Sequence, residues 1–219
     1  MHKERQISED MYSKLTAAAS QYGVSVFAVL LTAYGFSLSR LCRNKRFLIN
    51  IPVAKRPEFM KDINDLLGEC SDFFLYDYEF DNKLPFMEAA VRNQKKLWEM
   101  NDHSSFTGTD IVREIYRENG NRDNLSAPFV FTSLLDIPFE EYRSFRKRYY
   151  ETHTSQVWMD IVAVRFNDRL QFNFESVNGL ISEYTIEAVA DSFISCLTEL
   201  AEGRTDIPKE KVHVIPETN

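Results

Sequence analysis

The chain has 219 residues, 44% of them hydrophobic and 13% aromatic, enough for one large folded domain or two small ones. Its formal charge is −7, from 33 acidic and 26 basic side chains, which argues against general nucleic-acid binding, because that needs a basic face to displace phosphate counterions. The cysteines Cys42, Cys70 and Cys196 are far apart and form no CxxC spacing, so neither a disulfide framework nor a zinc site is expected, and a reducing, cytoplasmic setting follows.

The opening Met1-His2-Lys3-Glu4-Arg5 is polar and lacks the apolar core of a signal peptide. Ser8 to Gln21 predicts a helix. Ser8 can cap it, Glu9 and Asp10 suit its positive end, Gly23 stops it, and Met11, Leu15, Ala18 and Ala19 form the buried stripe. Ser25 caps a second helix running to Cys42, apolar almost all round and therefore deeply buried. Its most apolar run, Val26 to Phe36, is interrupted by Thr32 and too short to span a bilayer, so a soluble protein is expected.

After the basic turn Arg43 to Arg46, Phe47 to Val53 is a near-continuous apolar run that predicts an interior strand. Residues 54 to 65 are polar and carry Pro57, as a loop would. Asp72 to Phe80 predicts another strand. Pro85 opens a long helix to Met100, broken at Asn101 to Phe106. Thr109 to Tyr116 is a shorter helix, and Glu118 to Ser126 a polar connection.

Pro128 to Leu135 and Thr154 to Asp160 are two further strands, the second continuing through Phe166. Between them Glu140 to Tyr150 is charged and has no strand period. Asn167-Asp168 makes a turn into a strand from Arg169 to Val177, with Leu170, Phe172 and Phe174 alternating. Glu183 to Ala201 is a final amphipathic helix, and the tail from Glu202 is charged, proline-containing and linker-like. Helices covering a mixed sheet give an α/β (α+β) two-layer sandwich.

Few residues carry chemistry by pattern alone. No GxGxxG or GxxxxGK[ST] loop is present. Asp72 and Asp77 are spaced DxxxxD, but positions five apart on a strand face opposite ways. Asp102-His103 reads as a helix end before it reads as an acid/base pair. Ser133, His153 and Asp160 are the residue types of a hydrolase triad, but Ser133 lacks the GxSxG elbow. What remains is Thr132 and Asp160, on two strands that can become sheet neighbours. That would bring a hydroxyl and a carboxylate together on a rigid surface.

Several blocks together resemble a known family. In order they are Leu66-Leu67-Gly68-Glu69-Cys70-Ser71; Gln94 to His103 with Phe106-Thr107-Gly108; Pro128-Phe129-Val130-Phe131-Thr132-Ser133-Leu134-Leu135; and Ser155-Gln156-Val157-Trp158-Met159-Asp160. They resemble the later motifs of the heterocyclization domains of nonribosomal peptide synthetases, a branch of the condensation-domain superfamily. The resemblance runs from about residue 5 to 203, with 204–219 left as tail. It implies the C-terminal lobe of a two-lobed enzyme with the chloramphenicol-acetyltransferase-like fold, the family's own DxxxxD motif lying in the other lobe.

The resemblance implies an activity. The family joins an acyl or peptidyl thioester to carrier-bound Cys, Ser or Thr, then cyclodehydrates the amide to a thiazoline or oxazoline. It implies Thr132 and Asp160 as the catalytic pair, with Gln156, Trp158 and Ser133 lining the substrate tunnel. By strand alternation Gln156, Trp158 and Asp160 share one face. The implied partners are an N-terminal lobe and the donor and acceptor carrier proteins. The phosphopantetheine arm belongs to those carriers, so no cofactor and no metal is implied for this chain. Alone, the lobe is expected to self-associate and to be inactive.

The sequence departs from the family pattern at Glu69-Cys70-Ser71, at Met100-Asn101 and at Phe174-Glu175. Two other readings therefore stand beside cyclisation: a non-catalytic scaffold lobe that binds a carrier protein or partner lobe, and peptide-bond condensation without cyclisation.

Overall fold

The computed structural model describes residues 1–42, 44–55, 62–65, 68, 70–119, 127–135, 157–166 and 169–205. Six strands form one mixed sheet: β1 (His2–Ser8), β2 (Arg46–Ala54), β3 (Ser71–Glu79), β4 (Phe129–Leu134), β5 (Met159–Phe166) and β6 (Arg169–Ser176). Their order across the sheet is β1-β6-β5-β4-β2-β3. The two parallel pairings, β2 with β4 and β4 with β5, lie at the centre, and antiparallel pairs flank them.

The helices among the described residues are α1 (Glu9–Gln21), α2 (Val26–Leu41), α3 (Phe86–Asp102), α4 (Gly108–Asn119) and α5 (Glu183–Ala201). Residues of α1, α2, α3 and α5 share one core with alternate residues of the strands. The expected two-layer α/β arrangement is the one found. Of these helices, α2 is the most deeply buried. Ser25 caps it, its Oγ accepting from Ala28 N–H at 3.1 Å while its own N–H and hydroxyl donate to Gln94 Oε1 of α3. Gly35 explains how closely α2 approaches the sheet, since a Cβ there would lie 2.2 Å from the Tyr78 ring. Against β6, α5 seats Phe193, its ring 4.8 Å from Phe172 and 5.6 Å from Phe174.

A run of polar side chains inside this core is hydrogen-bonded, as burial favours. Tyr76 hydroxyl donates to Asn93 Oδ1 at 2.8 Å, Asn93 Nδ2 donates to Thr32 Oγ1 at 2.8 Å, and Thr32 hydroxyl donates to the Ala28 carbonyl at 2.6 Å. The chain ties β3, α3 and α2 together.

Several elements differ from expectation. The polar start of the chain is strand β1, which pairs with the edge of β6. Its alternation is one of charge rather than hydropathy: Lys3 and Arg5 reach Glu183, Glu187 and Asp191 of α5, while His2, Glu4 and Gln6 face away from the helices. Helix α4 runs on to Asn119, past the expected end at Tyr116. Strand β5 starts at Met159 rather than Thr154, and Val157 and Trp158 precede it outside the strand. The charged segment Glu140 to Tyr150, the turn Asn167-Asp168 and most of the tail lie outside the described residues. Among the described residues no single helix is long and apolar enough to cross a membrane.

Candidate active site

Strand alternation places the candidate pair. In β4, Phe129 and Phe131 face the helices, the Phe131 ring standing 5.2 Å from Phe27 and 6.0 Å from Tyr34. Val130 and Thr132 therefore face the opposite side. In β5, Met159, Ile161 and Ala163 belong to the helix-side core, which turns Asp160 and Val162 the other way. The parallel register sets Asp160 level with Val130 and Val162 level with Thr132. Thr132 and Asp160 thus share the face turned from the helices, on adjacent strands, one same-face step apart. Asp160 is 8% exposed.

Other polar residues gather on this face. Gln171, Asn173 and Glu175 alternate with the core aromatics of β6, and all three are buried. Gln171 Nε2 donates to Asn173 Oδ1 at 2.7 Å and to Glu4 Oε2 at 2.8 Å. Glu175 stands level with Asp160 on one side and His2 on the other, with His2 Nδ1 3.4 Å from Glu175 Oε1. From β2, Asn50 Nδ2 donates to the Ala127 carbonyl at 2.7 Å, fixing the approach to β4.

One support comes from the helix side. Tyr34 is fully buried, and its hydroxyl donates to the Met159 carbonyl at 3.3 Å, next to Asp160 in the chain. Burial foremost, then the nearby charge of Asp160 and Cys42, holds the Tyr34 phenol well above its ordinary range, so it stays a neutral donor.

The remaining expected site residues separate. Ser133 follows Phe131 to the helix side, level with Ala163, and does not share a face with Thr132 and Asp160. The same alternation separates it from Asp160 as a triad partner, and His153 lies outside the described residues. Trp158 is not a strand residue. Its N–H and that of Met159 both donate to the Pro128 carbonyl, at 2.7 and 3.1 Å, so the backbone bends there and alternation cannot be extended back from Asp160. Trp158 is 45% exposed. Gln156 lies outside the described residues.

The other motifs have structural roles. Asp72 anchors the start of α4 through Thr107 and Thr109, while Asp77 binds Arg46 and Lys96; they do not act together. His103 caps the end of α3, its N–H donating to the Glu99 carbonyl.

The residues of this face that pattern reading assigned to no site are Gln171, Asn173 and Glu175. Their signal was present: a polar residue at every second position between Leu170, Phe172 and Phe174 marks a strand with two unlike faces, one of them polar and yet buried.

Comparison with known proteins gives the class. The Condensation domain family matches residues 2–218, and the chain belongs to that family. Bacitracin synthase 1 of Bacillus licheniformis is 27% identical over 198 residues, covering 88% of this chain and 4% of that protein. Phenyloxazoline synthase MbtB of Mycobacterium sp. (strain MCS) is 28% identical over 131 residues, covering 60% of this chain and 11% of that protein. The crystal structure of the EpoB cyclization-docking bidomain from Sorangium cellulosum superimposes with a TM-score of 0.81 at 25% identity, covering 94% of this chain and 42% of that one. The chain therefore spans only a small part of these synthetases and less than half of the bidomain, and its fold is the condensation-domain, chloramphenicol-acetyltransferase-like one.

Proposed function

We propose that this chain is the C-terminal lobe of a heterocyclization domain in a nonribosomal peptide synthetase. In this reading the complete domain joins a carrier-bound acyl or peptidyl thioester to carrier-bound Cys, Ser or Thr, then cyclodehydrates the product. Residues 1–203 form the lobe and 204–219 a linker. The observation that carries the reading is the shared face of Thr132 and Asp160 on adjacent strands. The names of two relatives support it, one a phenyloxazoline synthase and the other a cyclization bidomain.

The chemistry asks for these residue types. The side-chain thiol or hydroxyl of the new amide attacks the amide carbonyl carbon and its proton passes to the carbonyl oxygen, giving a ring with a hydroxyl on that carbon. That hydroxyl then leaves with the ring N–H proton as water, and the ring C=N bond remains. One group must take the proton of the nucleophile and pass it to the carbonyl oxygen, then take the ring N–H proton and give it to the departing hydroxyl. A carboxylate oriented by a neighbouring hydroxyl can do both. Asp160 is assigned the proton transfers and Thr132 the orientation of Asp160 or of the ring hydroxyl. Val130 and Val162, on the same face, exclude water around them. Trp158, beside Pro128, remains a candidate for the tunnel mouth, and Gln156 remains a candidate for the tunnel. The phosphopantetheine arms arrive on the carriers, so this lobe is assigned no cofactor of its own. Without its partner lobe it is expected to be inactive and to self-associate.

The test is reconstitution. The chain is combined with its N-terminal lobe, an acyl-loaded donor carrier and a cysteinyl-loaded acceptor carrier, and the acceptor-bound product is weighed by intact mass spectrometry. A product one water lighter than the linear amide supports cyclisation. Linear amide alone reduces the chain to a condensation lobe, and carrier binding without product favours the scaffold reading.

A further inference from the structure

The least ordinary feature of the polar face is a row of titratable groups running across three strands. Asp160 of β5 stands level with Glu175 of β6, and Glu175 stands level with His2 of β1. The core aromatics on either side fix the direction of these side chains: Ile161 and Phe174 are buried against the helices, so Asp160 and Glu175 point together to the other face. Side chains level with each other on antiparallel strands have Cβ atoms about 4.5–5.5 Å apart. Both carboxyl groups are largely withdrawn from water, at 8% and 9% exposure. Like charges directly opposite on neighbouring strands are by themselves destabilising. Such arrangements gather where a protein needs a carboxyl group with an altered grip on its proton.

We propose that Glu175 is a positioning residue for Asp160: its carboxylate, level with Asp160 across the β5–β6 pair, strengthens the hold of Asp160 on a proton, and His2 moderates that effect from the sheet edge. The proposal rests on the assignment of Asp160 as the proton-transfer group. A negative neighbour disfavours the charged form of a carboxyl group. Asp160 then becomes a stronger base toward the attacking thiol or hydroxyl, whose proton it passes to the carbonyl oxygen, and toward the ring N–H, whose proton it passes to the departing hydroxyl. When the His2 imidazole carries its proton, its contact with Glu175 at 3.4 Å offsets part of the negative field.

Among the described residues the other charged or titratable groups near the row are few. From β1, Glu4 is engaged with Gln171 and Gln6. From α2, Tyr34 is a neutral donor to the Met159 carbonyl. From β4, Thr132 adds a hydroxyl without charge. Among the described residues, Glu175 is the charged group level with Asp160, and His2 the basic group level with Glu175.

The experiment has a readout that needs no turnover. The Asp160 side-chain carboxyl carbon is followed by NMR across a pH series in the ¹³C-labelled full chain, with Asp160→Asn used to assign the signal. In Glu175→Gln its titration midpoint should fall by about one pH unit, the scale on which a neighbouring like charge acts. Glu175→Asp, which keeps the charge, should hold the midpoint near the starting value, and His2→Ala should raise it wherever the imidazole would be protonated. An Asp160 midpoint unmoved by Glu175→Gln in a folded protein overturns the proposal. In the reconstituted domain, the acid limb of the cyclisation rate should move to lower pH in Glu175→Gln while linear amide forms at the starting rate. If the NMR midpoint moves but the unaltered protein makes no heterocycle, the coupling stands and the cyclisation reading fails. If heterocycle forms and the midpoint does not move, the reverse holds.

Discussion

Asp160 lies beside Thr132 on the neighbouring parallel strand, both turned away from the helices, with Asp160 level with Val130 and Thr132 one same-face step further along. The pair is held by two rigid central strands rather than by loops, and the helix-side aromatics determine which way each side chain points. Removing the Thr132 hydroxyl while keeping its shape should therefore affect chemistry without affecting the fold. Thr132→Val is expected to slow cyclisation roughly 100-fold or more, the lower range of a positioned proton-transfer contribution. Thr132→Ser should retain most of the rate. Quenched time courses that resolve linear from cyclised product check this.

Gly35 in α2 predicts an overpacking effect. A methyl group there would lie 2.2 Å from Tyr78 Cε2, and that ring is buried and stacked on Phe47 at 5.3 Å, so it cannot swing aside. A helix-interior Gly→Ala change alone would stabilise by up to about 1 kcal/mol. Here the steric cost, about 1–3 kcal/mol, should outweigh it. Gly35→Ala is expected to lower the urea midpoint; a raised midpoint would mean the ring has room that the packing denies it.

The buried bridge at Asn93 predicts coupling. Asn93→Leu leaves the Tyr76 hydroxyl without its acceptor and removes the donor to Thr32, at a cost of about 1–3 kcal/mol for stranded polar groups. Adding Tyr76→Phe should recover part of that loss, because the hydroxyl is then gone. A double-mutant cycle by chemical denaturation measures the recovery, and strict additivity would argue against the bridge.

Asp72 predicts a pH dependence of stability. Burial pushes its carboxyl group up, but hydrogen bonds from Thr107, the Phe73 N–H and Thr109, with Lys55 nearby, outweigh burial and hold it below its ordinary value of 3.8. A carboxyl group depressed in the folded state stabilises above its unfolded value and loses that contribution as pH falls through the folded one. Asp72→Asn should therefore be less stable than the unaltered chain near neutral pH, with the difference narrowing below the ordinary carboxylate range. Denaturation midpoints from neutral pH to acid test the sign. The α4 start is where the loss should appear first, since Asp72 ties Thr107 and Thr109 to β3.

What the sequence disclosed follows from where burial is one-sided. Helix α5 was legible to the residue, Glu183 to Ala201, because its apolar stripe keeps a helical period throughout; in the structure Ser182 caps it, its side chain accepting from Thr185 N–H. The interior position of β2 was legible from an unbroken apolar run. Strand β1 was not, because its partners on the helix side are carboxylates of α5, so it alternates between two kinds of charge and shows no hydropathy period. That Thr132 and Asp160 lie on strands or at their ends was legible from residue type, while their pairing was only a possibility that the structure realises in parallel. The start of β5 was not: the bend at Trp158 comes from two N–H groups sharing the Pro128 carbonyl, a contact between distant segments that no local pattern records. Ser133 sits next to Thr132 in sequence and on the opposite side of the sheet, a distinction that alternation alone could have drawn.

The central claim is that Thr132 and Asp160 act in the second of two steps. The most direct measurement is a single-turnover assay of the reconstituted domain, with acceptor-bound product weighed over time for the unaltered chain, Thr132→Ala and Asp160→Asn. The account predicts that all three form the linear amide at similar rates, that only the unaltered chain goes on to lose water, and that linear amide accumulates in the variants. Heterocycle formed at undiminished rate by Asp160→Asn, or linear amide alone from the unaltered chain, would contradict it.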